Sequence, residues 1–134
     1  MIGFLAHTLF VLAAWTLTIK FAFPIAWALN EGVPLLHYVW WDFWWVAHIW
    51  LALALLTRPG YTLRLALVIA VVEIIIVVSK FTIFLQAPVW DIWTTNWFIN
   101  KLFVLATFSL MLIHIAVRPD AYRAEPKASP VDES

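Results

Sequence analysis

The stretch LALVIAVVEIIIVV, Leu65 to Val78, carries one polar side chain, Glu73. A Val/Ile run of this kind would read as a buried strand only if it were far shorter. It continues without a break from Leu63 to Leu85, so length decides for a helix. A bilayer core of about 30 Å needs about 20 mostly apolar residues per helix. Outward from this span three further stretches qualify, roughly residues 4–27, 36–57 and 97–117. Composition agrees. Of the 134 residues 65% are hydrophobic and 12% charged, whereas a soluble domain has about half its residues apolar and about a quarter charged. The expected fold is an all-α integral membrane protein of four transmembrane helices arranged as two antiparallel hairpins.

The separators contain Pro24 and Pro34 around Asn30-Glu31-Gly32, then Arg58-Pro59-Gly60, then Pro88 with Asp91, then Arg118-Pro119-Asp120. Such short connections make consecutive helices antiparallel neighbours. The expected domain plan is a bundle over residues 1–119 and a disordered tail over 120–134, which is polar, Pro-containing and poor in aromatics. Lys and Arg in short loops stay on the cytoplasmic side. Arg58 and Arg64 flank the second connection, and Arg118, Arg123 and Lys127 follow the fourth span, while the first and third connections hold only Glu31 and Asp91. Both termini are therefore expected in the cytoplasm of a bacterium, with the bundle in its inner membrane. Met-Ile-Gly-Phe at the start has no basic n-region and no cleavage site follows, so the first span is expected to be retained.

A weak internal repeat runs at a spacing of sixty positions. It aligns Lys20-Phe21 with Lys80-Phe81 and Arg58-Pro59 with Arg118-Pro119, and it matches Leu5, Ala6, Val11 and Phe43 with Leu65, Ala66, Val71 and Phe103. Two hairpins of equal orientation would be related by an axis along the membrane normal, and a site would lie between them. Equal length constraints on two hairpins give the same spacing without duplication.

Polar side chains inside a membrane are costly, and each invites a functional reading. A rise of about 1.5 Å per residue sorts them by depth. His7 and His114 fall just inside the cytoplasmic edge. His48 and Glu73 share a depth near mid-membrane on adjacent helices. Lys20, Asp42, Lys80 and Lys101, one per helix, fall near the outer boundary. The same outer layer holds Trp27, Trp40, Trp41, Trp44, Trp45, Trp90, Trp93 and Trp97, leaving only Trp15 and Trp50 deeper.

Each group supports two readings. The aromatic layer is either an interfacial belt with snorkelling lysines or a docking surface for a partner subunit or for a flat ring such as a quinone, carotenoid or bacteriochlorophyll. The run from Trp40 to Trp45, read as helix, covers every side of it. His48 and Glu73 form either a polar clasp between helices or a proton relay. His7 and His114 would face each other in a square bundle, the axial arrangement of haem b, or they are interfacial histidines. His48 alone is a further candidate pigment ligand.

Several absences narrow the function. With no Cys, disulfides, thiolate metal sites and Cys nucleophiles are excluded. Formal neutrality removes the general case for nucleic-acid binding. There is no His-Glu-x-x-His, Gly-rich phosphate loop, Ser elbow or trio of histidines at metal spacing, so no metal site is expected and enzymatic chemistry has no motif behind it, an enzyme acting on lipid or quinone being the last alternative. The leading expectation is an accessory transmembrane subunit of a larger photosynthetic or respiratory complex, touching quinone, pigment or haem held by a partner. The alternatives are a small dimeric proton-coupled transporter or channel built on Glu73, and a small haem- or pigment-binding membrane protein.

Overall fold

In the computed structural model the chain is described over residues 1–39 and 41–125, and every regular element among them is helical. Helix α1 runs over Ile2–Glu31, α2 over Trp44–Thr57, α3 over Thr62–Gln86 and α4 over Ile92–Val117, followed by a 3₁₀ turn at Pro119–Tyr122. Three of the four, α1, α3 and α4, are long and apolar enough to cross a membrane. The fourth, α2, has 14 residues and rises only about 21 Å, less than a bilayer core.

The boundaries depart from the sequence expectation at two places. Pro24, read as a break, sits inside α1. A proline lacks the N–H for the helical ladder and its ring crowds the carbonyl four residues back, here that of Lys20. The chain relieves this with a π-helical turn over Thr18–Ala22 and continues to Gly32, whose φ of 69° closes the helix. The second departure is at residues 36–39 and 41–43, expected as helix and found as turns and irregular chain. Asp42 turns the chain just ahead of the Phe43 cap, its Oδ1 accepting the N–H of Trp44, the first helical residue, at 2.9 Å. The aromatic run therefore does not encircle a helix, because only Trp44 and Trp45 belong to α2.

Helix α4 opens on a capping box. Asp91 accepts the Thr94 N–H at 2.8 Å and the Thr94 hydroxyl accepts the Asp91 N–H at 2.9 Å, which satisfies two orphan donors at once. The Thr94 N–H holds the Asp91 carboxyl below the usual carboxylate range.

Helix α1 packs along α2 and α3 along α4, while contacts of α1 with α4 and of α2 with α3 close the ring. Leu5, Leu9, Leu51, Leu55, Ala66, Ala70, Val104, Phe108 and Met111 fill its interior. The Arg58–Glu125 ion pair, 3.3 Å, brings the turn after α2 to the C-terminal segment. At the other end Trp27 and Trp93 meet edge to face, 5.9 Å between centroids, bringing the connection after α1 to the start of α4.

The tail expected from Asp120 begins with ordered chain. Tyr122 is buried and its hydroxyl lies 2.7 Å from His114 Nδ1. Residues 126–134 of that tail lie outside the described residues.

Candidate functional site

Helical periodicity turns one face of each helix inward, and the apolar positions of that face build the core. The same faces carry polar side chains. His48, Glu73, Asn100, Lys101, Lys20 and Thr16 are all buried, and together they draw on every helix of the ring.

Glu73 and His48, each 1% exposed, meet at the α3–α2 contact with Oε1 3.2 Å from Nε2. The approach is off the direction a ring N–H would need, and neither side chain has a hydrogen-bond partner among the described residues. The contact is close but is not a hydrogen bond. Phe108 of α4 covers the imidazole, with 5.3 Å between ring centroids.

Lys101, 5% exposed, makes neither a hydrogen bond nor an ion pair among the described residues. The charges of Glu73, Lys20, Lys80 and Asp42 lie within its electrostatic reach. Lys20, 8% exposed, sits on the π turn and pairs with Asp42, which leans in from the connection before α2. A π turn re-aims side chains within an otherwise regular helix and recurs at functional sites. Lys80 is exposed, so the four charges expected in one layer separate into two buried lysines, Lys20 and Lys101, with half-buried Asp42 beside Lys20 and one outlying lysine.

His7 and His114 are each engaged locally. His7 is exposed with its Nδ1 2.6 Å from the Gly3 carbonyl, and His114 is taken up by Tyr122. Burial pushes the Tyr122 phenol up to about 12. Among the described residues no group of three His, Asp or Glu side chains gathers at metal-binding distance.

The tryptophans divide into separate clusters. Trp41 packs on Phe21 and Phe43. Trp90 and Trp97 join Phe84 and Phe98. Trp27 and Trp93 line an apolar groove of about 340 Å³ between α1 and α4, with Asn30 and Asn96 on its wall. The indole nitrogens of Trp44 and Trp45 are buried without acceptors among the described residues. Trp40 lies outside the described residues.

Asn100, Thr16 and Tyr122 enter the structure without having been marked by the sequence. Asn100 carried a signal, since it adjoins Lys101 within an apolar span. A threonine on an apolar helix carried none, because its hydroxyl usually returns to its own backbone. No protein-family model, curated protein or solved structure matches this chain.

Proposed function

We propose that this chain is a proton-coupled transport protein of the bacterial inner membrane, with Glu73 as the group that takes and releases the proton. In this reading the polypeptide crosses the membrane four times as two antiparallel hairpins. The second crossing is made by α2 together with the chain before it, and both termini are cytoplasmic, a placement supported by the arginines at 58, 64, 118 and 123. The observation that carries it is the Glu73–His48 pair, buried at the centre of the ring without the hydrogen bonds that would make it a merely structural clasp. An intramembrane acid of this kind is expensive and marks an ion pathway by default. His48, 3.2 Å away, is the natural partner for relaying the proton, since imidazole can accept on one nitrogen and donate from the other.

The test is proton flux into vesicles that contain the purified protein and an internal pH dye. Glu73→Gln is expected to lower the flux about tenfold, the factor that corresponds to about 1.4 kcal/mol. Undiminished flux in that variant would overturn the reading.

A second reading, an accessory subunit of a photosynthetic or respiratory complex, is favoured by the exposed indoles of Trp41 (64%) and Trp90 (53%) and by the Trp27–Trp93 groove. Aromatic walls of this sort suit a partner helix or the flat ring of a quinone, carotenoid, bacteriochlorophyll or haem b held by a neighbour. Gentle extraction from the native membrane followed by mass spectrometry and an absorption scan separates the two. Other subunits migrating with the chain support the second reading, and a colourless assembly of this chain alone ends it.

A further inference from the structure

The interior carries an imbalance of hydrogen-bonding groups. Thr16 Oγ1, Trp44 Nε1, Trp45 Nε1 and Asn100 Nδ2 are buried donors without an acceptor among the described residues, and Lys101, 5% exposed, makes no hydrogen bond among those residues either. Trp44 and Trp45 lie one helical turn from His48, Thr16 lies one turn from Lys20, and Asn100 adjoins Lys101. All five therefore belong to the half of the bundle between His48–Glu73 and the Lys20–Asp42 pair. Against them stand the two oxygens of the Glu73 carboxylate and the His48 imidazole, whose two nitrogens, one donor and one acceptor when neutral, are likewise unpartnered among the described residues. Buried polar groups are nearly always paired, and each exception calls for a water, an ion or a function.

Charge gives a second, independent imbalance. Glu73 meets His48 of α2 directly, and Lys101 of α4 lies within electrostatic reach of Glu73, of Lys20 on α1, of Asp42 in the connection above and of Lys80, which is exposed on the helix that carries Glu73. With Asp42 and Glu73 ionised, their charges cancel those of Lys20 and Lys101. A proton on Glu73 leaves the interior one positive charge in excess, a costly state in a low dielectric. A cationic solute would add to that excess and meet two buried ammonium groups, whereas one negative charge cancels it and brings acceptors to the orphan donors.

Building on the transport reading above, we infer that a small monovalent anion travels with the proton, bound at Lys101 with Asn100, Thr16 and the Trp44 and Trp45 indoles as supporting donors. Protonation of Glu73 and arrival of the anion are then one coupled event, since each makes the other less costly.

The test uses the full chain in vesicles under an imposed pH gradient, with chloride, nitrate, sulfate or gluconate as the sodium salt. Proton uptake is expected to be about tenfold faster in chloride or nitrate than in sulfate or gluconate, the factor set by about 1.4 kcal/mol of coupling. Lys101→Met is expected to abolish the difference and Lys101→Arg to retain part of it. Glu73-dependent uptake at one rate in all four salts would overturn the anion site, leave the transport reading standing, and assign the donors to bridging water. Where uptake depends on Glu73 in no salt, the transport reading falls, and the site is judged on binding alone. Chloride titration of the detergent-solubilised protein, followed by tryptophan fluorescence against gluconate at equal ionic strength, supplies that judgement. A saturable change absent from Lys101→Met upholds the site, and identical traces overturn it.

Discussion

The first half of the ring, α1 and α2, and the second, α3 and α4, bury many of the same positions when compared at the sixty-residue spacing. Ala6 and Ala66, Leu9 and Ile69, Leu51 and Met111, and Leu55 and Ile115 are all core residues. The ends of α2 and α4 also correspond. The Arg58 N–H donates to the Ala54 carbonyl and the Arg118 N–H to the His114 carbonyl, each at 2.8 Å. Thr62 then bonds back to Ala54, and Tyr122 to His114. The halves part where the chemistry is. Glu73 occupies the position that Ala13 holds in the first half, and Phe108 the one that His48 holds. Lys20 is buried on a π turn while Lys80 is exposed. Packing repeats because the same ridges meet the same grooves, whereas an ionisable group needs a partner, and one half supplies the acid while the other supplies its base.

That division can be broken by giving the first half its own acid. Ala13→Glu places a carboxylate in a buried site with no imidazole of its own and is expected to lose about 3 kcal/mol, the cost of an acid near the centre of a membrane helix. Unfolding in mixed micelles measures it, and a variant as stable as the parent would make the two halves interchangeable.

A cycle that erases the difference sharpens it further. His48→Phe and Glu73→Ala each copy the opposite half, and singly each leaves the remaining polar group stranded. Together they remove both, so the double variant is expected to be more stable than the sum of the single losses predicts. The coupling energy is expected near 1 kcal/mol, the scale of polar pairs between membrane helices. A coupling of zero would mean that the pair is a coincidence of depth.

The smallest effect is expected at the corresponding helix ends. Tyr122→Phe removes the bond to His114 and Thr62→Ala the bond to Ala54, each costing about 1 kcal/mol. Only the first alters pH dependence. The Tyr122 pKa, raised to about 12 from 10.0, gives stability that is fully present below pH 10.0 and is lost as pH rises through about 12. Thermal melts of the parent should fall across that window more steeply than those of Tyr122→Phe, and parallel curves would show the hydroxyl to be free of the fold.

Depth was legible in the sequence and azimuth was not. Counting along each span puts His48 level with Glu73 and Lys20 level with Asp42, because rise per residue is a property of the helix alone. Lys80 and Lys101 count to the same layer as Lys20, yet one faces outward and the other into the core. The expected first span, 4–27, already ran past Pro24, but the sequence concealed the π turn that accommodates it and the continuation to Glu31. Whether a proline ends a helix or is absorbed by a π turn depends on what the following residues pack against, here Trp27 on Trp93.

The amino-acid sequence by itself determined an all-helical chain, apolar enough for lipid, with few ionisable groups at definite heights, since these follow from composition and the fixed rise of a helix. Tertiary packing alone decided which of those groups turn inward and meet: Glu73 with His48, Lys20 with Asp42, and Lys101 left without a partner among the described residues. Rotation about a helix axis is set by the surfaces of its neighbours, and no stretch of one helix read alone contains them.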